Sequence, residues 1–282
     1  MTIERTHFYE GGLTTGVKSC TSVTAWVEER IAQSGIRDGL AILSLPHTTA
    51  GLAITSFWDE RGLEDMMDEF DRNIPPRVSY KHQDSPFDAA AHVKNVLMRG
   101  NVMLMIKNGK MVLGSSQGLV FVEFDGPRDR KFYLQIVEHR SMLTKVMSIN
   151  TDFAGMHNVT AEVKKVVADS GVVRGVCHVA MLHSTAGMLV TSDEKASMRD
   201  IMDDTERLIP TRADFKHRET ASDAGGHVKT AIAGSQLSFA IVGGRLVIGE
   251  EQALVFAEYD GPRPRSYTIG LFESSPKEDD DG

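Results

Sequence analysis

The sequence predicts two tandem α+β domains, each with a mostly antiparallel β-sheet core and about three helices. The chain repeats itself at an offset of 136 residues, as from His47 to His183, and one deletion reduces this to 135, as from His92 to His227. In each half, apolar residues first recur at helical spacing and then gather into short runs rich in strand formers. Later apolar runs flank Asn-Gly or Gly-Gly, which are typical of β-hairpin turns.

The repeat extends through nearly the whole chain. Residues 47–51 (HTTAG) match residues 183–187 (HSTAG), and residues 125–128 (DGPR) match residues 260–263. A period of this length indicates paired domains and not a solenoid. We therefore expect a first domain at residues 1–140, a second at residues 141–275 and a disordered acidic tail at residues 276–282. Because no Pro/Gly/Ser-rich linker separates the halves, the domains are expected to pack directly.

Each half begins with a helix and a strand. Helical periodicity over residues 23–31 and 159–167 is followed in both halves by a Ser-Gly pair that ends the helix. The apolar runs at residues 40–45 (LAILSL) and 176–182 (VCHVAML) then predict strands. A histidine stands just beyond each strand.

Two further helices and the remaining strands follow. The second helix is expected at about residues 60–72 and 194–208, and a proline stops each copy. Asp88 and Asp223 are expected to N-cap a short third helix, four residues before a histidine in each half. The rest of each half reads as β-strands joined by hairpins.

Composition excludes several classes of protein. A net charge of −8 without a Lys/Arg run argues against a nucleic-acid surface, which needs clustered positive charge. No stretch approaches the roughly 20 apolar residues of a membrane span, so no membrane partner is expected. The polar, acidic beginning of the chain does not resemble a secretion signal, and we expect a cytoplasmic protein. Cys20 and Cys177 do not match between the halves and are interpreted as reduced core residues.

The strongest functional signal is a set of three histidines that recurs in both halves. Imidazole is the commonest side-chain ligand of zinc, and catalytic sites use three protein ligands and a water. The sets therefore predict a divalent metal, zinc first and magnesium as the alternative. The competing interpretation is that the histidines cap elements or lie in the core. The candidate ligands are His47, His82 and His92 in the first half, and His183, His217 and His227 in the second.

Two further motifs could bind an anionic substrate. The hydroxyl-rich turn after the first histidine could hold an anion with backbone N–H groups, or could simply end a strand. The two arginines of Asp-Gly-Pro-Arg-x-Arg could bind phosphate or carboxylate, or could pair with the aspartate of the same turn. The candidate residues are Thr48, Thr49, Arg128 and Arg130 in the first half, and Ser184, Thr185, Arg263 and Arg265 in the second.

A glutamate and a glutamine recur near these arginines. Glu123 and Glu258 lie two residues before the aspartate and are candidates for general base or for partner to a histidine. Gln117 and Gln252 could orient a substrate or a water molecule.

Together these motifs resemble the YjbQ-like proteins, a family identified with secondary thiamine-phosphate synthase enzymes. The resemblance rests on the Ser-Gly pair, His-Thr/Ser-Thr-Ala-Gly, Lys-His, Ala/Gly-His-Val-Lys, Leu/Ile-Gly-x-x-Gln and Glu-x-Asp-Gly-Pro-Arg, and it covers both halves. It implies a compact α+β domain, trimers of single domains with clefts near the subunit contacts, and the histidines as site residues. A tandem chain is then expected to form a homo-oligomer, with a pseudo-hexamer of three chains as one arrangement.

Two departures from the family pattern affect the expected activity. An acidic residue nine positions after the first histidine is replaced by Ser56 and Ser192, and a tryptophan before the glutamine by Ser116 and Glu251. Asp193 and Glu251 are candidates to supply a catalytic carboxylate in the second domain, which makes that domain the better candidate for an active site.

Three functions remain open on the sequence. The resemblance implies a metal-dependent transferase that releases pyrophosphate and acts on a small phosphorylated or carboxylated substrate. The site residues alone fit a zinc-dependent hydrolase of a small molecule equally well. A non-catalytic ligand-binding or assembly protein is the third interpretation.

Overall fold

The computed structural model describes residues 5–77, 79–82, 84–139, 141–212 and 214–274, so the expected acidic tail lies outside the described residues. Within these described ranges, the first half contains eight strands and three helices. They are β1 (Thr6–Thr14), β2 (Ser19–Ser22), α1 (Thr24–Ser34), β3 (Gly39–Ser44), β4 (Ala50–Thr55), α2 (Glu60–Asn73), α3 (Pro86–Met98), β5 (Asn101–Lys107), β6 (Lys110–Met111), β7 (Gly118–Glu123) and β8 (Asp129–Glu138).

The second half repeats this order. Its elements are β9 (Leu143–Asn150), β10 (Met156–Asn158), α4 (Thr160–Ser170), β11 (Arg174–Met181), β12 (Ala186–Ser192), α5 (Lys195–Leu208), α6 (Asp223–Ala233), β13 (Gln236–Val242), β14 (Arg245–Leu246), β15 (Gln252–Glu258) and β16 (Pro264–Glu273).

Each half has two antiparallel sheets. In the first half the five-stranded sheet has the order β1-β8-β3-β5-β6 and the three-stranded sheet the order β2-β7-β4, and the second half has the same two sheets. Side chains from α1 and from both sheets form one apolar core, and α4 has the same place in the second half. The predicted α+β class, with sheet-dominated units and three helices in each, is confirmed.

The helix starts differ from the prediction at one point. Asp88 and Asp223 are not N-caps, because α3 begins after Ser85, whose hydroxyl accepts from the N–H of Asp88, and α6 begins at Asp223 itself. The two carboxylates contact groups outside their helices instead. That of Asp88 contacts His82, and that of Asp223 accepts from the N–H of Glu219.

The two domains pack directly on each other. Helix α2 of the first domain lies against α6 of the second, and a buried apolar cluster spans both. Met66 and Phe70 of α2 belong to this cluster together with Val228 and Ala231 of α6. The domains therefore share a core, and the first domain covers the helix that carries His227.

A glycine allows a second close approach between the domains. A Cβ atom built on Gly114 would lie 1.9 Å from the backbone oxygen of Leu182. We expect Gly114→Ala to lower the free energy of unfolding by about 1–3 kcal/mol, as overpacking does elsewhere. Chemical denaturation measures this. Gly16→Ala is the control, because its new Cβ would meet Ser19 at an ordinary 3.6 Å, and equal effects of the two variants would contradict the prediction.

No helix in the described part of the chain is long and apolar enough to cross a membrane. Burial raises the pKa of both cysteine thiols to about 12. Cys177 lies in the core of the second domain, and Cys20 is partly buried on β2.

Candidate active site between the two domains

A pocket at the junction of the domains contains the three histidines of the second domain. Its cavity measures about 210 Å³. The first domain contributes Ser56, Trp58, Asp59, Ser115 and Ser116, and the second contributes Leu182, His183, Ser184, Thr185, His217, Glu219, Thr220, Asp223, His227, Asp260, Arg263 and Arg265. Neither domain forms this pocket alone.

His217 is held by two carboxylates of the first domain. Asp65, on α2, accepts hydrogen bonds from the backbone N–H groups of Lys216 at 2.9 Å and His217 at 2.8 Å. Asp59, the N-cap of α2, lies 2.6 Å from Nδ1 of His217. Hydrogen bonds from Arg61 and His217 hold the pKa of Asp59 well below its ordinary value, so Asp59 is an anion that accepts the Nδ1 proton. With this proton on Nδ1, the tautomer that can bind a metal has its lone pair on Nε2.

The Nε2 atom of His217 belongs to a candidate metal site. Nε2 of His217 is buried and has no hydrogen-bond partner among the described residues. It lies 3.2 Å from a carboxylate oxygen of Asp223, without hydrogen-bond geometry. One ring nitrogen of His217 and one oxygen from each of Glu219 and Asp223 lie within 4.8 Å of one another. Atoms this close can share a single cation, since zinc binds nitrogen and oxygen ligands at about 2 Å.

His227 lies beside this cluster. Its ring centroid is 5.2 Å from that of His217. Nδ1 donates to the backbone oxygen of Ser184 at 2.9 Å, which leaves the lone pair of the neutral ring on Nε2. Burial lowers the pKa of His227, so the ring is neutral at pH 7. An imidazole whose other nitrogen donates to a carbonyl or a carboxylate is the arrangement that metal-binding histidines adopt.

His183 is oriented differently from the other two histidines. Its Nε2 accepts from the backbone N–H of Ser266 at 2.8 Å, so in the neutral ring the proton lies on Nδ1. Burial, together with the positive charge of Arg265, lowers the pKa of His183 to about 4. At neutral pH His183 is therefore an uncharged hydrogen-bond donor in the pocket wall.

The predicted general base Glu258 is instead a buried partner of Arg265. The guanidinium contacts both carboxylate oxygens at 2.6 Å and donates to the hydroxyl of Thr185 at 3.0 Å, while Thr151 donates to the carboxylate at 2.8 Å. Burial alone would raise the pKa of Glu258, but these donors and the backbone N–H of Asp260 hold it below its ordinary value. The general-base interpretation fails because both oxygens are occupied and fully enclosed. The same network occurs in the first domain, where it is formed by Glu123, Arg130, Thr49 and Thr15.

Among the other predicted substrate-binding residues, Arg263 and Arg128 pair with aspartates of their own turns, and Gln117 contacts the opposite domain. Arg263 pairs with Asp260 at 2.9 Å, and Arg128 with Asp125 at 2.5 Å, as the alternative interpretation of the motif expected. The first-domain Gln117 crosses the domain junction and donates to the backbone oxygen of His183 at 2.9 Å.

Asp193 and Glu251 do not line the pocket. Ala186 of β12 is paired with Glu258, whereas Ser192 is paired with Gln252 at the other end of the strand, roughly 20 Å away at about 3.3 Å per residue. The carboxylates proposed to compensate in the second domain are therefore far from its histidines.

The first-domain histidines are arranged like those of the second domain, but their side chains are more exposed. The rings of His82 and His92 are 5.3 Å apart, and with Asp88 they form a second group of candidate ligands. Nδ1 of His92 lies 3.1 Å from the backbone oxygen of Thr48, and Nε2 of His47 lies 3.1 Å from the N–H of Lys131. The side chains of His82 and His92 are 48% and 40% exposed, against 3% for His217.

Comparison with known proteins shows the same division of the chain. The family profile described as UPF0047 protein YjbQ-like matches residues 12–139 and again residues 145–274. The chain belongs to the YjbQ-like family. It contains two copies of the family's domain in tandem.

Relatives of this YjbQ-like chain correspond to one domain each. A UPF0047 protein of Methanocaldococcus jannaschii is 36% identical over 115 residues, which are 41% of this chain and 82% of the relative. The UPF0047 protein YugU of Bacillus subtilis is 34% identical over 116 residues, 41% of this chain and 86% of the relative. A crystal structure from Clostridium acetobutylicum, described as an uncharacterized conserved protein of the yjbq/upf0047 family, is 37% identical, with a TM-score of 0.44 over 45% of this chain and 98% of its own.

Three acidic residues of the pocket were not among the sequence-based candidates. Asp59 and Glu219 were not singled out, and Asp223 was interpreted only as a helix cap. A signal was available, because an acid occupies the matching position of the other YjbQ-like domain in all three cases. The matched pairs are Asp59 with Glu194, Asp84 with Glu219, and Asp88 with Asp223.

Proposed function

We propose that the pocket between the domains binds a divalent metal and that the chain is a metal-dependent enzyme acting on a small phosphorylated or carboxylated substrate. The observation that carries this proposal is the buried, unpartnered Nε2 of His217 beside the carboxylates of Glu219 and Asp223. Burying a polar atom without a partner costs about 1–3 kcal/mol, and a metal ligand bond removes that cost.

The charges around the pocket also support a bound cation. Four carboxylates line it, those of Asp59, Glu219, Asp223 and Asp260, against two guanidinium groups that already pair with carboxylates. An anionic substrate would be repelled from this pocket unless a cation balanced the charge. Mixed nitrogen and oxygen ligands favour zinc over magnesium, which prefers an all-oxygen shell.

The protein's own groups have distinct roles in this proposal. Asp59 fixes the ring of His217 from the opposite domain, and the backbone oxygen of Ser184 fixes His227. His183 is positioned to donate its Nδ1 proton in a hydrogen bond to a substrate oxygen. A metal held by His217, Glu219 and Asp223, with His227 beside it, would polarise a phosphoryl or carbonyl oxygen and lower the pKa of a water molecule.

Two reaction classes fit this pocket. The resemblance to secondary thiamine-phosphate synthases favours a transferase in which pyrophosphate leaves a pyrimidine diphosphate as a thiazole phosphate attacks. A hydrolase would instead direct water at the same centre. The cavity of about 210 Å³ limits either reaction to small molecules.

Measuring pyrophosphate release separates these classes. With zinc-loaded protein, release from the pyrimidine diphosphate only when the thiazole phosphate is present would support the transferase, and release without it would support hydrolysis. We expect His183→Ala to lower kcat by about 10²–10³-fold, the range for loss of one hydrogen-bond donor to a developing charge. If purified protein binds no metal and His183→Ala changes neither turnover nor ligand affinity, the chain is a non-catalytic binding or assembly protein.

A further inference from the structure

We propose that a second cavity, between helix α5 and the edge strand β10, binds a medium-chain carboxylate, with the alkyl chain against methionine side chains and the head group at Lys195 and Arg199. This cavity and the junction pocket share no lining residue. The inference therefore does not depend on the chemistry proposed for the junction pocket.

The cavity has the size of a site for one small molecule. It measures about 350 Å³, against about 210 Å³ for the junction pocket, and small-molecule sites measure about 300–1,000 Å³. Strand β10 is at the edge of its three-stranded sheet, so one wall of the cavity is the side of a strand and the other is a helix. The lining residues are Ala154, Met156 and Asn158 on the β10 side, and Asp193, Lys195, Met198, Arg199 and Met202 on the α5 side.

Three methionines form the apolar part of this lining. Met198 and Met202 of α5 are 8% and 9% exposed, and Met156 of β10 packs against the apolar clusters of both. At the matching positions of the first domain, Cys20 and Leu63 replace two of the three. Methionine is unbranched, flexible and polarisable, and it adapts its shape to an apolar partner. The lining therefore suits an alkyl chain.

Two basic side chains line the same cavity without an ion pair. Lys195 and Arg199 are exposed, and neither pairs with an acid among the described residues. They are four residues apart on α5, so their like charges repel each other. Among the described lining residues, Asp193 supplies the only carboxylate. The positive charge that remains is balanced by a monovalent anion, and the fork of an arginine fits a carboxylate.

The matching cavity of the first domain has the opposite charge. It lies between α2 and β2 and measures about 360 Å³. Glu60 and Glu64 occupy the positions of Lys195 and Arg199. Lys216 of the second domain pairs with Glu64 at 3.0 Å, so this cavity already receives its counter-charge from the protein. The second-domain cavity has no such partner among the described residues.

The two cavities also differ at the end where their sheets begin. In the first domain Lys18 lines this end and pairs with Asp71. In the second domain Ala154 stands at the position of Lys18, and Glu206, which matches Asp71, pairs with Lys229 instead. A charged side chain is therefore replaced by a methyl group in the cavity that contains the methionines, which makes this end apolar as well.

Calorimetric titration with decanoate tests the proposal. We expect one decanoate per chain with a Kd below about 1 mM, and an affinity at least about tenfold lower for K195E/R199E, because hydrogen bonds to charged groups contribute that much. K164E/K165E is the matched control, since it changes the net charge equally at exposed positions of α4 and should bind like the wild type. Decylamine, which has the same chain and the opposite charge, should not bind.

Methyl spectra of protein labelled at its methionine methyl groups show where the ligand binds. We expect decanoate to shift the signals of Met156, Met198 and Met202, which single substitutions to leucine assign. The signal of Met66, in the core between the domains, should not move. A wild type that does not bind decanoate, equal binding by K195E/R199E or of decylamine, or shifts confined to methionines outside this cavity would overturn the proposal.

Discussion

Glu258→Ala is expected to destabilise the second domain by about 3–5 kcal/mol, the usual cost of removing one partner of a buried ion pair. Glu258 is fully buried and contacts the guanidinium of Arg265 with both oxygens. The substitution leaves that guanidinium enclosed without its counter-charge. Urea denaturation measures the change in the free energy of unfolding. Glu251→Ala is the matched control, because Glu251 is exposed, and we expect it to cost under about 0.5 kcal/mol.

The same ion pair gives the sign of a pH dependence. The pKa of Glu258 is lower in the folded chain than its ordinary value. Its contribution to stability is therefore fully present above the ordinary glutamate pKa, and is lost as the pH falls through the lowered pKa. The difference in stability between the wild type and Glu258→Ala should shrink in acid. A difference that grows as the pH falls, or one below about 1 kcal/mol at pH 7, is incompatible with a buried charged pair.

His217→Ala is expected to remove one zinc site per chain and to abolish activity at the junction pocket. The side chain carries the unpartnered Nε2 beside Glu219 and Asp223. Zinc titration followed by calorimetry gives the number of sites and their affinity. His82→Ala is the control, since it changes the matching histidine of the other domain, and the junction site should survive in that variant.

A related prediction concerns Asp59, which belongs to the first domain but contacts His217 of the second. We expect Asp59→Asn to weaken zinc binding at the second-domain site about 10–100-fold, as loss of a carboxylate that orients a ligand does in other metal proteins. Glu194→Gln, the matching change in the second domain, should leave that site intact. If Asp59→Asn and Glu194→Gln have the same effect, the pocket is not built from both domains.

The repeat and its periodicity are local signals, and they predicted much of the fold. The helices at 60–72 and 194–208 and both hairpin turns lie where the pattern placed them. The caps of α3 and α6 were wrong because an aspartate near a helix start can bind the chain before the helix, as Asp223 does with Glu219. Propensity does not distinguish these partners.

The composition of the site depends on contacts between distant residues. Asp59 and His217 are 158 positions apart and meet only because α2 packs on α6. Ser56 stands where the family has an acidic residue, which suggested that the first-domain site lacks a carboxylate. The structure gives this substitution a different explanation. Ser56 lines the pocket of the second domain, and Asp59, three residues later, supplies a carboxylate there. The spacing of residues within one half of the sequence does not show to which domain's pocket a residue contributes.

Burial decided the roles of the charged residues, and sequence alone does not give burial. Glu123 and Glu258 read as candidate bases until their arginine partners and full enclosure were visible. The three histidines read as equivalent ligands. In the structure, hydrogen bonds to Asp59 and Ser184 leave Nε2 free in His217 and His227, whereas the N–H of Ser266 occupies Nε2 of His183.

A crystal structure of zinc-soaked protein, with anomalous data collected above and below the zinc absorption edge, tests the central claim most directly. We predict a zinc peak bonded to Nε2 of His217, with Glu219 and Asp223 as further ligands and Asp59 on the opposite side of the His217 ring. Anomalous density only at surface residues, or a junction pocket with no zinc and with Nε2 of His217 hydrogen-bonded to protein, would contradict it.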